Sequence, residues 1–193
     1  EIQAHLDDYY AQRENDHIER TWMVSLREFL AARGYTNVPG PILRAALDAL
    51  FAVTQQNWVV EEDAIPTLQI LKSKGFRLGM VSNAADDKNV QQLVNHWGLR
   101  PYFEFIITSA ACGFRKPRPE IFQLALDYFQ VPPHLVAMIG DTLGADVMGA
   151  NNLGIYSIWV TRRARKGDSD HMPSSAVERL DEIPGLLSKA NRG

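Results

Sequence analysis

Phe76-Arg77-Leu78-Gly79-Met80-Val81-Ser82-Asn83 is the stretch whose reading decides the fold: a mostly apolar run of strand length that breaks into a hydroxyl and an amide. A helical pattern from about Asp86 to Trp97 follows it, closed by Gly98, and another from Ala64 to Ser73 precedes it, with Gly75 beyond its end. The same grammar repeats downstream. Phe105 to Thr108 is a second apolar run, and Pro119 to Phe129 is a helix whose proline stands in the first turn, where a missing N–H costs nothing. Val136 to Ile139 is a third run and ends in Gly140-Asp141. A helix across Asp146 to Leu153 stops at Gly154, and Ile155 to Val160 is a fourth run. Near-continuous apolar strands alternating with helices predict a parallel sheet covered on both faces. Residues 59–193 therefore read as a doubly wound α/β domain, with Gly167 to Ser175 as a mobile loop.

Upstream the pattern is helical throughout residues 1–58. Ile18, Trp22, Leu26, Phe29 and Leu30 recur at three-to-four spacing on a helix predicted to end near Gly34. Ile42, Leu43, Ala46, Leu47, Leu50 and Phe51 repeat that spacing after Pro39 and Pro41. These stripes read as helix packing rather than as a cofactor site.

Composition narrows the classes of function. A net charge of −3 leaves no basic surplus to gather nucleic acid or anionic lipid. The one basic run, Arg162, Arg163, Arg165 and Lys166, reads as a solvated loop. A single cysteine, Cys112, excludes an internal disulfide and a multi-cysteine zinc site, and fits a reducing, cytoplasmic setting. No apolar run approaches the roughly 20 residues of a membrane span, and no secretory signal opens the chain. Glu1-Ile2-Gln3-Ala4 reads as helix interior, as though the chain were entered midway.

In doubly wound sheets ligands bind beyond the carboxyl ends of the strands. The polar residues there are Ser82 and Asn83 after the first run, Lys116 in the loop after the second, and Asp141 with Asp146 after the third. A hydroxyl, an amide, an ammonium and two carboxylates suit phosphoryl transfer, which asks chiefly that negative oxygens be held and neutralised. Ser82 and nearby backbone N–H groups can bind phosphate oxygens, Lys116 supplies positive charge, and the carboxylates offer the hard oxygens Mg²⁺ takes. Each also has an ordinary reading. Ser82 and Asn83 can cap the next helix, Lys116 can be a surface lysine, Gly140-Asp141 can be a turn, and Asp146 can be a first-turn acid. Their order and their shared position at strand ends favour the phosphate reading.

Three of these stretches together resemble a known family. Leu78-Gly79-Met80-Val81-Ser82-Asn83, Lys116-Pro117-Arg118-Pro119-Glu120-Ile121-Phe122 and Gly140-Asp141-Thr142-Leu143-Gly144-Ala145-Asp146-Val147-Met148-Gly149-Ala150 are similar to the second, third and fourth motifs of the haloacid-dehalogenase-like hydrolases. The resemblance covers roughly Glu61 to Val160 and implies a Rossmann-like core over residues 59–193, with residues 1–58 as an α-helical cap. It implies that Ser82 binds the phosphoryl group, that Asn83 orders the site, and that Lys116 stabilises phosphate and nucleophile. Asp141 would ligate Mg²⁺, with Asp146 supporting that ligation directly or through water.

The family's first motif, an Asp-x-Asp closing an opening central strand, has no counterpart here. Asp7-Asp8 are adjacent and lie in a helical pattern, while Asp86-Asp87 open a helix after the second motif. The expectation is a chain that lacks the nucleophile segment and the first core strand, and that is inactive without them. The acidic pair favours a phosphatase for a small phosphorylated metabolite over a 2-haloacid dehalogenase, which needs no Mg²⁺, and over a phosphomutase. A pseudoenzyme or phosphate-binding protein of the same fold is the alternative. A phosphorylatable receiver would place its acidic pair before its lysine, the reverse of the order here. No pattern specifies a leaving group or an oligomeric state.

Overall fold

The computed structural model describes residues 9, 11–12, 15–163 and 170–190, with side chains as far as 188. Asp7-Asp8, Arg165, Lys166 and residues 167–169 lie outside that set. The elements are α1 (Trp22–Ala31), α2 (Gly40–Thr54), α3 (Ala64–Ser73), β1 (Gly79–Ser82), α4 (Asp87–His96), β2 (Phe105–Thr108), α5 (Ser109–Cys112), α6 (Pro119–Phe129), β3 (Ala137–Gly140), α7 (Met148–Asn152), β4 (Tyr156–Val160), β5 (Ser175–Val177) and α8 (Ile183–Ala190).

Every strand pair is parallel, as the apolar runs predict. β1 pairs with β2 from Gly79 opposite Phe105 to Ser82 opposite Thr108. β3 pairs with β4 from Ala137 opposite Tyr156 to Gly140 opposite Trp159, and β4 with β5. Two apolar clusters cover the two faces. Leu71 of α3 and Ile183 of α8 pack with Ile158, Val160 and Val177, and Leu78, Ala137 and Ile139 join them. Ile121, Phe122 and Leu126 of α6 pack with Ala150 and Ile155, joined by Val81, Ile107, Val136 and Met138. Successive residues of β3 thus enter opposite cores, the period-two signature of a strand between two helical layers. Each fully buried Ile among these contributes about 1.5–3 kcal/mol.

The strands among the described residues form two sheets rather than one: β1-β2 and β3-β4-β5. Val81 of β1 and Ile107 of β2 share the second cluster with Met138 of β3, and Leu78, just before β1, joins the first; among the described residues one edge of β1 and one edge of β3 have no strand partner. β4, with neighbours on both sides, is mostly buried, whereas every residue of β1 and β3 is only partly so.

Three details depart from the sequence reading. Ile18 is not on the first helix, which begins at Trp22 behind the cap residue Thr21. Instead Ile18 forms an antiparallel bridge with Phe114; Glu19 N donates to Gly113 O (2.8 Å) and Arg115 N to His17 O (2.9 Å). Those long-range backbone bonds override the helical period. Beyond Val160, β5 and α8 are further elements: Ser175, expected in a loop, opens a strand held by β4.

Arg162 and Arg163 are not simply solvated. Arg162 Nη2 donates to the buried Asp63 Oδ1 (2.6 Å), and Arg163 pairs with Glu61. Leu180 N donates to Asp63 Oδ2 (2.8 Å), so one carboxylate ties α3 to the segment before α8. Burial pushes the Asp63 carboxyl up, but the Arg162 and Leu180 hydrogen bonds outweigh it and the net direction is down. A carboxyl whose folded pKa lies below its unfolded value of about 3.9 stabilises the fold above that value and loses the contribution as pH falls through the folded pKa. We expect acid unfolding of Arg162→Ala to begin at higher pH than that of the unaltered protein, read by circular dichroism from pH 6 to 2. Coincident acid transitions would show that Asp63 does not contribute in this way.

Candidate active site

Lys116 is the hub. Its Nζ donates to Val81 O (2.8 Å), at the carboxyl end of β1, and lies 2.7 Å from Asp146 Oδ1, beyond the end of β3. The two side chains are 10% and 5% exposed. Lys116 is therefore neither a surface lysine nor a loop ornament: it spans the gap between the two sheets. Asn83 fixes its backbone by a reciprocal amide clamp, with Lys116 N donating to Asn83 Oδ1 (2.7 Å) and Asn83 Nδ2 to Lys116 O (2.9 Å). Asn83 accordingly does not cap α4; Asp86 does, accepting from Asn89 N (2.9 Å).

Asp146 reaches the strand end because the chain there is not the regular helix the sequence suggests. Leu143–Val147 form one wide turn, with Met148 N bonded five residues back to Leu143 O, before α7 begins. Such turns cluster at functional sites because they re-aim side chains. Asp146 Oδ2 accepts from Thr142 N (3.1 Å), closing the loop on itself. Gly140 makes room, since a Cβ there would lie 2.2 Å from Asp146 Cγ.

Ser82 Oγ and the Asp141 carboxylate remain available. Among the described residues Ser82 Oγ has no hydrogen-bond partner, and Asp141, exposed, has only Thr142 Oγ1 at 3.4 Å. Trp159 Nε1 donates to Asp141 O (3.0 Å) and steadies its backbone. The five residues singled out by the sequence thus gather at one end of the strands, Lys116 in contact with Asn83 and Asp146, and Ser82 and Asp141 at the strand ends beside them. Two carboxylates without sulfur or imidazole suit a hard cation. Among the described residues no three His, Cys, Asp or Glu side chains group as a metal site.

Helix α2 reaches the same end of the molecule. Arg44 Nη1 donates to Asp86 Oδ2 (2.6 Å), Lys88 Nζ to Asp48 Oδ2 (2.8 Å), and Gln55 Nε2 to Asn89 Oδ1 (2.7 Å). Asp87 accepts from Thr108 Oγ1 (2.8 Å), so the Asp86-Asp87 pair is spent on structure. Cys112 Sγ bonds Phe114 O (3.4 Å), the ordinary role of a small thiol. Sequence reasoning missed Glu19, Ser109 and Arg115, which meet in one ion-paired cluster beside Ala84. Ser109 stands directly after β2, so the rule that selected Ser82 and Asp141 could have found it; Glu19 gives no such signal.

A family profile described as haloacid dehalogenase-like hydrolase matches residues 2–154. Among curated relatives, glyceraldehyde 3-phosphate phosphatase of Methanothermobacter thermautotrophicus is 34% identical over 122 residues, 62% of this chain and 54% of the relative. The chain spans about half the length of the curated relatives it matches. Among solved structures, a HAD phosphatase from Thermococcus onnurineus superposes with a TM-score of 0.69 at 25% identity, covering 96% of this chain and 78% of the other. A 2-haloacid dehalogenase from Pseudomonas syringae pv. Tomato DC3000 gives 0.73 at 24% identity, with 98% and 82% covered, and shows the shared fold.

Proposed function

This chain belongs to the haloacid dehalogenase-like hydrolases, and from that premise we propose that it carries the phosphate- and metal-binding half of a magnesium-dependent phosphatase. Its substrate would be a small phosphorylated metabolite and its intermediate an aspartyl phosphate. The observation that carries the reading is the buried Lys116–Asp146 pair between the ends of β1 and β3, with Ser82 Oγ unbonded among the described residues and Asp141 exposed and in contact with Thr142 Oγ1. The relative that is a glyceraldehyde 3-phosphate phosphatase supports phosphate esters as the substrate class.

In this reading Ser82 Oγ donates to a phosphoryl oxygen and Lys116 Nζ neutralises charge that grows there, most effectively where water is excluded. Asn83 keeps the Lys116 backbone in place. Asp141 would hold Mg²⁺, and Asp146, committed to Lys116 and Thr142 N, would assist through water. When bound, Mg²⁺ draws charge from the phosphoryl oxygens. Residues 1–58 would be the cap, latched to α4 by Arg44 and Gln55 and closing over the site. Among the described residues no helix is long and apolar enough to cross a membrane, and the setting we propose is the cytoplasm. Small molecules, not nucleic acid or membranes, are the proposed partners.

The nucleophile would be an aspartate arriving on a parallel strand between the unpaired edges of β1 and β3. The test compares this chain with the same chain joined to an Asp-x-Asp strand segment, using small phosphate monoesters with magnesium or with chelator. We expect magnesium-dependent turnover only in the joined protein. A folded joined protein that hydrolyses none of them overturns the reading. Halide release from 2-haloacids without magnesium would put a dehalogenase in its place, and phosphate binding without turnover a binding protein.

A further inference from the structure

We infer that Glu19 is a positioning residue for the Ser82 loop, acting through Ser109, and so couples the segment before α1 to the phosphate site. The inference rests on the phosphate-binding reading of Ser82.

The geometry is a short relay. Ala84 N, two residues past Ser82, donates to Ser109 Oγ (2.9 Å). A hydroxyl accepts well from that N–H only if its own hydrogen points elsewhere, and two acceptors compete for it. One is Ala84 O, at 3.2 Å; the other is Glu19 Oε2, a closer contact. A carboxylate is the stronger acceptor, so Glu19 takes the hydrogen and leaves a Ser109 lone pair facing Ala84 N. Ala110 N then donates to Ala84 O (3.0 Å), and the loop after β1 is held on both sides.

Glu19 is an expensive choice for packing alone. Its side chain is 0% exposed, and although Oε2 is paired with Arg115 and Ser109, Oε1 is buried with no hydrogen-bond partner among the described residues. A buried carboxylate with an orphaned oxygen costs stability that an apolar residue of similar volume would not. What the carboxylate adds is orientation of one hydroxyl. Glu19 also lies in the segment bound to residues 113–115 and followed at once by α1, where Trp22 N donates to Ala85 O (3.0 Å). Displacing that segment withdraws Glu19 from Ser109. The hold of Ser109 on Ala84 N then depends on the helical region being seated.

The test uses Glu19→Gln, Ser109→Ala and the double variant, with inorganic phosphate as the probe and amide hydrogen exchange at Ala84 as a second readout. We expect each single change to raise the phosphate dissociation constant about tenfold, the loss of one charge-assisted hydrogen bond. The double variant should lose no more than either alone, because the two residues act in series, and Ala84 exchange should speed up in all three. Phosphate affinity within twofold of the unaltered protein in folded single variants, or an additive double loss, overturns the relay. If the unaltered protein binds no phosphate, the phosphatase reading falls, and unchanged Ala84 exchange in Glu19→Gln or Ser109→Ala then removes the relay as well.

Discussion

Lys116→Met is expected to lower phosphate-ester turnover of the segment-bearing protein by about a hundredfold or more, and to weaken the fold at the same time. Both effects come from one atom. Nζ sits at the end of β1, bonded to Val81 O, and it is the partner of Asp146 Oδ1 at 2.7 Å, with both side chains almost wholly buried. Methionine keeps the length and much of the packing but leaves Asp146 as an unbalanced charge. Breaking a buried pair from one side costs about 3–5 kcal/mol. For a chain of this size that corresponds to a fall of roughly 10 °C in the unfolding midpoint. Thermal unfolding by circular dichroism and a turnover assay with magnesium read the two effects separately. Near-normal turnover would remove Lys116 from the mechanism. An unchanged midpoint would mean that Asp146 finds water or another donor as soon as the lysine leaves.

Asp141→Asn should separate the two effects, with turnover down by about a hundredfold or more and folding unaffected. Its carboxylate is exposed and, among the described residues, bonds only Thr142 Oγ1 at 3.4 Å, so it carries little of the fold. Surface changes of this kind usually stay within about 0.5 kcal/mol. Magnesium gives a readout that needs no catalysis. An ion that binds the folded state raises the unfolding midpoint by mass action, so millimolar Mg²⁺ should stabilise the unaltered chain and not Asp141→Asn. Equal stabilisation of both would place the ion elsewhere. Equal turnover of both would dismiss Asp141 as a functional residue.

The strands and the site residues were legible for different reasons. β2 and α6 were readable to the residue, since Phe105–Thr108 is an apolar run between polar neighbours and Pro119 marks a helix start. Ser82, Lys116, Asp141 and Asp146 could be chosen because the carboxyl end of a parallel strand is a defined place, and the sequence shows which polar residue comes next. β5 escaped notice: three residues carry no periodicity, and it is β4 that makes Ser175–Val177 a strand. Ile18 was misassigned because its three-to-four spacing with Trp22 is real, yet the backbone bonds to residues 113–115 are worth more than one further helical turn.

The amino-acid sequence by itself determined the alternation of strands and helices, the parallel pairing of the strands and the identity of the polar groups at the strand ends. Those follow from local period and from which side chains avoid water, properties each segment carries alone. Tertiary structure decided that Lys116 and Asp146 form one buried pair, that Asn83 clamps a backbone instead of capping a helix, and that Glu19 meets Ser109 across 90 residues. It also decided that the strands among the described residues pair as two sheets, β1-β2 and β3-β4-β5. Pairings of this kind depend on where distant segments come to rest, and a charge or an amide declares its partner only after the chain has closed around it.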